Sequence, residues 1–426
     1  MGAGTGASET ALSPDEARTA ARAWLSDHWA GVDDENWRRA LVTSGWAAPT
    51  WPVGRYGRGL SRPSARAAAA EFDAAGAPGA CVETAPFHDN PWMYLLGNTL
   101  LAHGGQAVCD RYLPRLLTGS LTHGCLLYSE PGAGSDLASL QTRAELVGEG
   151  EYLVNGQKIW TTGGQEAQFG LLLARTDWDA PKHAGLTFFV IDMDSPGIEI
   201  RPIRQITGDA EFNEVFLTDV PVPADAVIGA PGEGWRVLQV ALAAERAGMG
   251  AAARGRAEGK AAAGTSDLAV LRAVADDLVE AARAAGRLND TVVRDELVKI
   301  LSWRLTNTWT GDRAAAEIRR GPSSLASLGK LAASRVLHAG TDFAYRMQGR
   351  ASLVYDVDDP LAYPVDRALM FAFINSIGGG SDQIQRNIIG ERVLGLPKGY
   401  EPDRGVPFRD VRKGSATRPV SQEKRP

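Results

Sequence analysis

The stretch that decides the fold class is Tyr152-Leu153-Val154-Asn155-Gly156-Gln157-Lys158-Ile159-Trp160-Thr161-Thr162. Apolar and aromatic residues on either side of Asn155-Gly156 predict a strand, a type I′ turn and a returning strand. Working outward, the texture turns from helical to strand-like near Gly124. Downstream, Phe169–Ala174, Leu186–Ile191, Ile198–Ile203 and Glu214–Val220 are short β-rich runs separated by turn residues. About six strands with no helix between them predict an antiparallel sheet or barrel, not a parallel α/β unit.

Both flanks are helical. Ser13-Pro14-Asp15-Glu16 forms a capping box with Pro at the first helical position, so the first helix starts there. Ala65–Phe72 and Trp92–Leu101 carry helix formers or three-to-four spacing, with loops at 48–52 and 76–79. Helical pattern resumes after Pro231-Gly232-Glu233-Gly234 and runs to about Leu394, with boundaries at Gly264-Thr265-Ser266 and Arg320-Gly321-Pro322. The predicted class is α+β. An N-terminal helical domain spans 12–122, a middle antiparallel β domain 123–229 and a C-terminal helical bundle 230–408. Residues 1–11 read as a disordered lead-in, and the polar, basic stretch 409–426 as a solvated tail.

The chain has 426 residues, with 45 basic against 51 acidic side chains and 44% apolar content. That balance argues against nucleic acid or an anionic membrane as the main partner. Cys81, Cys109 and Cys125 are too scattered for a disulfide framework or a CxxC site, and no HExxH is present, so no metal is expected. No apolar run approaches the ~20 residues of a membrane helix, and residues 1–12 carry no export signal. A reducing, cytoplasmic enzyme or binding protein is the expectation.

GxGxxG, GxxxxGK[ST] and GxSxG are all absent, so a nucleotide cofactor needs another cradle. Four segments could supply it. Tyr128-Ser129-Glu130-Pro131-Gly132-Ala133-Gly134-Ser135-Asp136 has glycines and hydroxyls that can converge on an anion; the alternative is a surface turn. Trp160-Thr161-Thr162-Gly163-Gly164 can flank a planar ring and bond its polar edge; the alternative is a Trp in a β core. Glu245, with Ala241, Leu242, Gly248 and Met249 at helical spacing, lies on a small apolar stripe. Burial there would raise its pKa and suit it to general-base work; the alternative is a stripe-edge carboxylate that reaches water. Ile377-Gly378-Gly379-Gly380-Ser381-Asp382-Gln383-Ile384 presents free N–H groups before a helix; the alternative is a capped loop.

In their order along the chain, SEPGAGSD, NGQKIWTT, the β runs, a helical Glu-Arg and GGGSDQIQRNIIGERVLGLP resemble the acyl-CoA dehydrogenase family, in particular the actinobacterial enzymes of fatty-acid and steroid side-chain degradation. The resemblance implies an oligomeric, FAD-dependent oxidoreductase of lipid metabolism that desaturates an acyl-CoA thioester between its α and β carbons. FAD would lie between the β domain and the C-terminal helices. The family pattern places Leu126, Tyr128, Ser129, Gly134, Ser135, Trp160, Thr162, Ser381 and Gln383 at the cofactor. Ser129 would bond the pyrimidine side of the flavin, Trp160 lie against the isoalloxazine, Thr162 reach N5, and Ser135 face the pyrophosphate or the substrate pantetheine. Arg246, Gly379 and Gly380 join Ser135 on the substrate side.

Many members carry the base in Tyr-Glu-Gly-Thr before a SQIQR-like segment, a position occupied here by Gly379. A second branch, including isovaleryl-CoA dehydrogenase, places it before an Arg in a C-domain helix, which is Glu245 followed by Arg246. Glu245 would remove the α-proton while flavin N5 takes the β-hydride. Gly379 can still give its N–H to the thioester oxygen, because that donor is main chain. The family's Arg-x-x-Phe-Gly stretch is missing between Arg254 and Arg320, where Arg272, Arg294 and Arg304 are candidates for its contact to FAD. The resemblance further implies an electron-transferring flavoprotein as acceptor and a homo- or hetero-oligomer. A flavin monooxygenase on the same fold and a non-catalytic partner subunit are the competing readings.

Overall fold

The computed structural model describes residues 12–79, 92–148, 150–242, 277–318, 325–356 and 363–411. Helix α1 (Pro14–His28) opens on the expected capping box: the Ser13 side chain accepts from Glu16 N, and the Glu16 carboxylate accepts from Ser13 N. Helices α2 (Glu35–Thr43), α3 (Arg62–Ala74), α4 (Asn98–His103, entered through a π turn at Met93–Gly97) and α5 (Gln106–Thr118) complete the N-terminal group. Trp37, Trp46 and Phe72 are buried together at its centre, with Phe72 about equidistant from both indoles.

Eight strands follow: β1 (Gly124–Leu127), β2 (Arg143–Val147), β3 (Glu151–Thr162), β4 (Phe169–Arg175), β5 (Leu186–Asp192), β6 (Ile198–Ile203), β7 (Phe212–Pro223) and β8 (Val227–Ile228). They form one sheet in the order β6-β7-β3-β2-β4-β5-β8, with β1 added on β4. The sheet is mixed, which corrects the antiparallel expectation. β1 runs parallel to β4 from Gly124↔Phe169 to Leu127↔Leu172, and β2 meets β4 in parallel at Arg143↔Arg175. Chain order predicts hairpins, but β1 enters from α5 and pairs with the strand that buries its apolar residues, not with its neighbour in sequence.

Both faces of β4 and β5 are buried. Leu171, Leu173, Phe188 and Val190 join the core of the N-terminal helices, while Leu172, Ala174, Phe189 and Ile191 join a second core on the other face. This two-sided burial explains why these strands read as unbroken apolar runs. At about 1.5–3 kcal/mol for each buried Leu, Val or Phe, the same few side chains hold the sheet to the helices.

The Asn155-Gly156 turn does not form. β3 runs straight through it, and the chain reverses between Val147 and Glu151, at Gly148 with φ +62°. Opposite Asn155, β7 carries an extra residue at Asp219 (φ +48°). The two lock side chain to chain: Asn155 Nδ2 donates to Asp219 Oδ1 and Asp219 N to Asn155 Oδ1, each at 2.9 Å. Gly156 is required for close approach, since a Cβ there would lie 2.4 Å from Thr142 Oγ1. Local turn propensity loses to a bulge fixed by the neighbouring strands.

Helix α6, whose described part is 234–242, starts hard against β5. Gly232 (φ +82°) donates to Thr187 Oγ1 at 3.0 Å, and a Cβ on Gly234 would sit 2.7 Å from Leu186 O. The remaining α-helices among the described residues are α7 (Leu278–Ala284), α8 (Thr291–Ile318), α9 (Ala326–Met347), α10 (Pro364–Phe371), α11 (Phe373–Ile377) and α12 (Asp382–Ile388). Leu278, Val293, Leu297, Ile300 and Phe343 form the core of α7–α9, and Leu337, Ala368 and Phe371 a smaller one. The expected breaks at 264–266 and 320–322 lie outside the described residues, as does residue 272. The tail expected from 409 does not enter solvent at once: Val411 is buried, as is Phe408 at the end of the helical domain, because residues 407–411 pack onto the loop after β4.

Candidate active site

The loop after β1 is built around a buried ion pair. Glu130 and Ala133 exchange backbone hydrogen bonds at 3.0 Å, closing Glu130-Pro131-Gly132-Ala133 into a tight turn. The Glu130 carboxylate turns inward and accepts from Gln141 N (2.6 Å), Thr142 N (2.8 Å) and Lys158 Nζ (3.0 Å). Lys158, with 0% of its side chain exposed, also donates to the carbonyls of Tyr128 (3.1 Å) and Leu173 (2.8 Å). Every ammonium proton therefore has an acceptor, which a buried charge requires. Burial alone would raise the Glu130 carboxyl, but Lys158 and the Thr142 and Gln141 donors hold it below the usual range. Burial pushes Lys158 down, against the pull of Glu130. The sequence reading missed this pair. The available signal was Lys158 standing at the same inward parity as Tyr152 and Val154 in an otherwise apolar strand face.

Beyond Lys158 the strand bulges. Lys158 faces Val215 and Thr161 faces Asn213, so Ile159 and Trp160 together oppose Glu214 alone. Trp160 takes φ +62° and is 57% exposed as a residue, with its ring edge-on to Phe212 at 6.0 Å. A buried core Trp is thus not what is found; the bulge aims an aromatic plate outward, at a backbone angle an L residue adopts only when its surroundings impose it. Thr162 is exposed beside it, and Thr161 faces inward. Ile159 N donates to Ser129 O at 3.0 Å, so β3 brings Ser129, Trp160 and Thr162 to one edge. Leu126 is half-buried in β1, and Tyr128 is buried with its ring 5.8 Å from Phe188.

Gly134 and Ser135 are exposed at the tip of the loop, and a Cβ on Gly134 would meet nothing within 4 Å. Next to them Asp136 accepts from Lys182 Nζ and Ser139 Oγ at 2.6 Å, and His183 meets Trp235 of α6 edge-on at 4.6 Å. The loop is therefore linked, through Lys182 and the neighbouring His183, to the start of α6. Glu245 and Arg246 themselves lie outside the described residues, while Val237, Leu238 and Ala241 before them are buried.

The glycine run forms an open turn into α12. Gly379 and Gly380 take φ +63° and +92°, and a Cβ on Gly379 would meet nothing within 4 Å. Ser381 caps α12 through Ile384 N, and Gln383 is exposed. Lys330 of α9 donates to Gly380 O at 2.6 Å, and the buried Gln385 donates to Gly379 O and Gly380 O at 3.3 and 3.2 Å. Among the described residues, no hydrogen bond, ion pair or ring contact joins Ser381 or Gln383 to Ser129, Trp160 or Thr162. The site thus stands in two parts within one chain.

An outward indole beside a free hydroxyl, next to an open glycine loop, fits a planar ring carrying a phosphate tail. The family descriptions "Acyl-CoA dehydrogenase, middle domain" and "Acyl-CoA dehydrogenase, C-terminal domain" match residues 125–220 and 232–394. The chain belongs to the acyl-CoA dehydrogenase family. Acyl-CoA dehydrogenase IpdE1 of Mycobacterium tuberculosis is 36% identical over 414 residues, covering 90% of this chain and 98% of the relative. Among solved structures, the Tcur3481-Tcur3483 steroid ACAD is 25% identical with TM-score 0.63, covering 91% of this chain and 98% of that one. The ChsE4-ChsE5 complex from Mycobacterium tuberculosis is 26% identical with TM-score 0.61, covering 92% and 100%. An acyl-CoA dehydrogenase of this family is an oxidoreductase of lipid metabolism with FAD as its cofactor. Among the described residues, no helix is long and apolar enough to cross a membrane.

Proposed function

We propose that Glu245 is the base that removes the α-proton of the acyl-CoA thioester. FAD, when bound, supplies the two-electron acceptor for the β-hydride. Trp160, Thr162 and Ser129 would hold the flavin; Leu126, Tyr128 and Gly134 shape its seat; Ser381 and Gln383 contact it from the helical side. The observation that carries this reading is the bulge that exposes Trp160 at φ +62° beside Thr162 and Ser129. Ser135 and Arg246 would face the substrate, and the Gly379 and Gly380 amides, freed by positive φ, would donate to the thioester oxygen as negative charge develops on it. The apolar residues at helical spacing from Glu245, of which Ala241 is buried, would keep its carboxylate basic enough to take a weakly acidic proton.

The open space over Gly379, where many relatives carry their base, favours a bulky or branched acyl group. The name of one structural relative, a steroid ACAD, points the same way. Electrons would leave to an electron-transferring flavoprotein. Assembly with a second chain is supported by the exposed apolar residues Val298, Leu305 and Trp309 on α8 and Phe373 and Ile377 on α11. A cytoplasmic setting agrees with the free, buried thiols of Cys109 and Cys125.

The test is anaerobic titration of the flavin with a panel of acyl-CoA thioesters, in the natural protein and in Glu245→Gln. The natural protein should bleach with at least one thioester, while the variant keeps its FAD spectrum and bleaches about 10²–10⁴-fold more slowly. Equal bleaching rates would remove Glu245 from the mechanism, and a protein that takes up no FAD would favour the partner-subunit reading.

A further inference from the structure

Arg175, at the end of β4, is fully buried, yet among the described residues no carboxylate forms a salt bridge with it. Its guanidinium is spent on main-chain carbonyls: Nη2 to Ala138 O (2.7 Å), Nε to Leu140 O (3.3 Å) and Nη1 to Lys182 O (3.1 Å). One cation thus ties together two loops. The first, 136–140, continues directly from Ser135. The second, 178–183, carries Lys182, which pairs with Asp136, and His183, which meets Trp235. Burial pushes the guanidinium down to about 10, so an uncovered or wetted Arg175 would have less reason to hold these carbonyls.

What covers it is the end of the described chain. The Phe408 ring lies 3.4 Å from the Arg175 guanidinium carbon, and Phe408 is 1% exposed. Around that contact the segment adds itself to the second loop. Phe408 N donates to Ala180 O and Arg409 N to Trp178 O, each at 3.0 Å; Pro407 bridges Pro181; and the Arg409 guanidinium pairs with Asp179. At Arg409, the first residue of the expected tail, a solvated chain needs neither the bond to Trp178 O nor the pair with Asp179.

We propose that residues 407–411 are a clasp which, through Phe408 and Arg175, positions loops 136–140 and 178–183 at the entrance for the CoA moiety of the substrate. The placement of CoA there rests on the role given above to Ser135; the clasp itself rests only on the contacts just named. Phe408 and Arg175 are positioning residues, acting through the loops and not on the reacting atoms.

The test uses the full chain with Phe408→Leu, which keeps the apolar volume but removes the aromatic face, together with Phe408→Ala and Phe408→Tyr. Amide hydrogen exchange should quicken in both loops for Phe408→Leu and Phe408→Ala, and return to the natural rate for Phe408→Tyr. Kd for free CoA and KM for the acyl-CoA substrate should rise about tenfold, with kcat falling far less. Faster exchange confined to 407–411, with CoA affinity unchanged, would overturn the clasp. Loosened loops in a protein whose natural form bleaches with acyl-CoA but binds CoA no differently would overturn the placement of CoA at this entrance. A natural protein that no acyl-CoA bleaches would count against the dehydrogenase reading, and the exchange result would still decide the clasp.

Discussion

The sheet side and the helical side of the candidate site are held in different ways. On the sheet side, Trp160 and Thr162 sit at the end of β3 and Ser129 on the loop after β1, joined by the Ile159–Ser129 hydrogen bond and the Glu130–Lys158 pair. On the helical side, the Gly379–Gly380 turn is held by Lys330 of α9 and by Gln385 of α12, and the bundle leaves Leu305 and Trp309 of α8 half or more exposed, one helical turn apart. The helical side carries an apolar stripe, Val298, Leu305 and Trp309, at i, i+7 and i+11 spacing with no covering element among the described residues, the pattern of a surface that a further helix should cover. Rigidity and incompleteness are thus divided between the two halves of one site.

The largest effect expected from this contrast is on assembly. Leu305→Lys with Trp309→Lys should shift the protein to its free subunit in analytical ultracentrifugation, while the sheet side stays folded by Trp fluorescence. An unchanged mass would mean that the α8 face is not the contact.

On the sheet side, Lys158→Ala strands the Glu130 carboxylate in the interior and should lower stability by roughly 3–5 kcal/mol. The pH dependence has a definite sign. The Glu130 carboxyl is lower in the folded than in the unfolded protein, so its contribution is full above the ordinary Glu value of about 4.3 and is lost as pH falls through the lowered folded value. Urea unfolding between pH 3 and 7 should therefore show an acid limb in the natural protein that flattens in Lys158→Ala. A loss below about 1 kcal/mol, or an unchanged limb, would move the rigidity of the loop to some other contact.

The smallest effect concerns the lock between β3 and β7. Asn155→Ala removes two exposed hydrogen bonds and should cost about 1 kcal/mol in urea midpoint measurements. It should leave the flavin spectrum unchanged, because the second bulge, at Trp160, is set by its own register. A shifted spectrum would show that the two bulges are coupled.

Much of the molecule is legible in the residues alone. Ser13–Glu16 start a helix because their side chains satisfy the free N–H groups of its first turn, and that logic is local. β4, β5 and β6 stand where their apolar and β-branched runs stand. The segment 128–136 and the glycine turn before α12 are loop and turn as read, Trp160–Thr162 ends a strand, Glu245 lies outside the described residues, and the order of the four segments along the chain is enough to indicate the family.

The failures share one cause. Asn155-Gly156 has the strongest local turn signal in the β region, yet Thr142 and Asp219 claim it for a bulge. Arg409 and Val411 read as tail, but the 178–181 loop holds Arg409 through Trp178 O and Asp179, and Val411 is buried. The parallel pairing of β1 with β4 follows from which apolar faces meet, and alternation along one strand carries no information about its partner. What the sequence by itself determined is whatever depends on neighbours within about four positions: helix starts, strand runs and the loops that offer free donors. Strand partners, the outward turn of Trp160 and the acceptors for Lys158 and Arg175 were decided by the tertiary structure, because a buried charge or a bulge is fixed by groups far away in the chain and close in space.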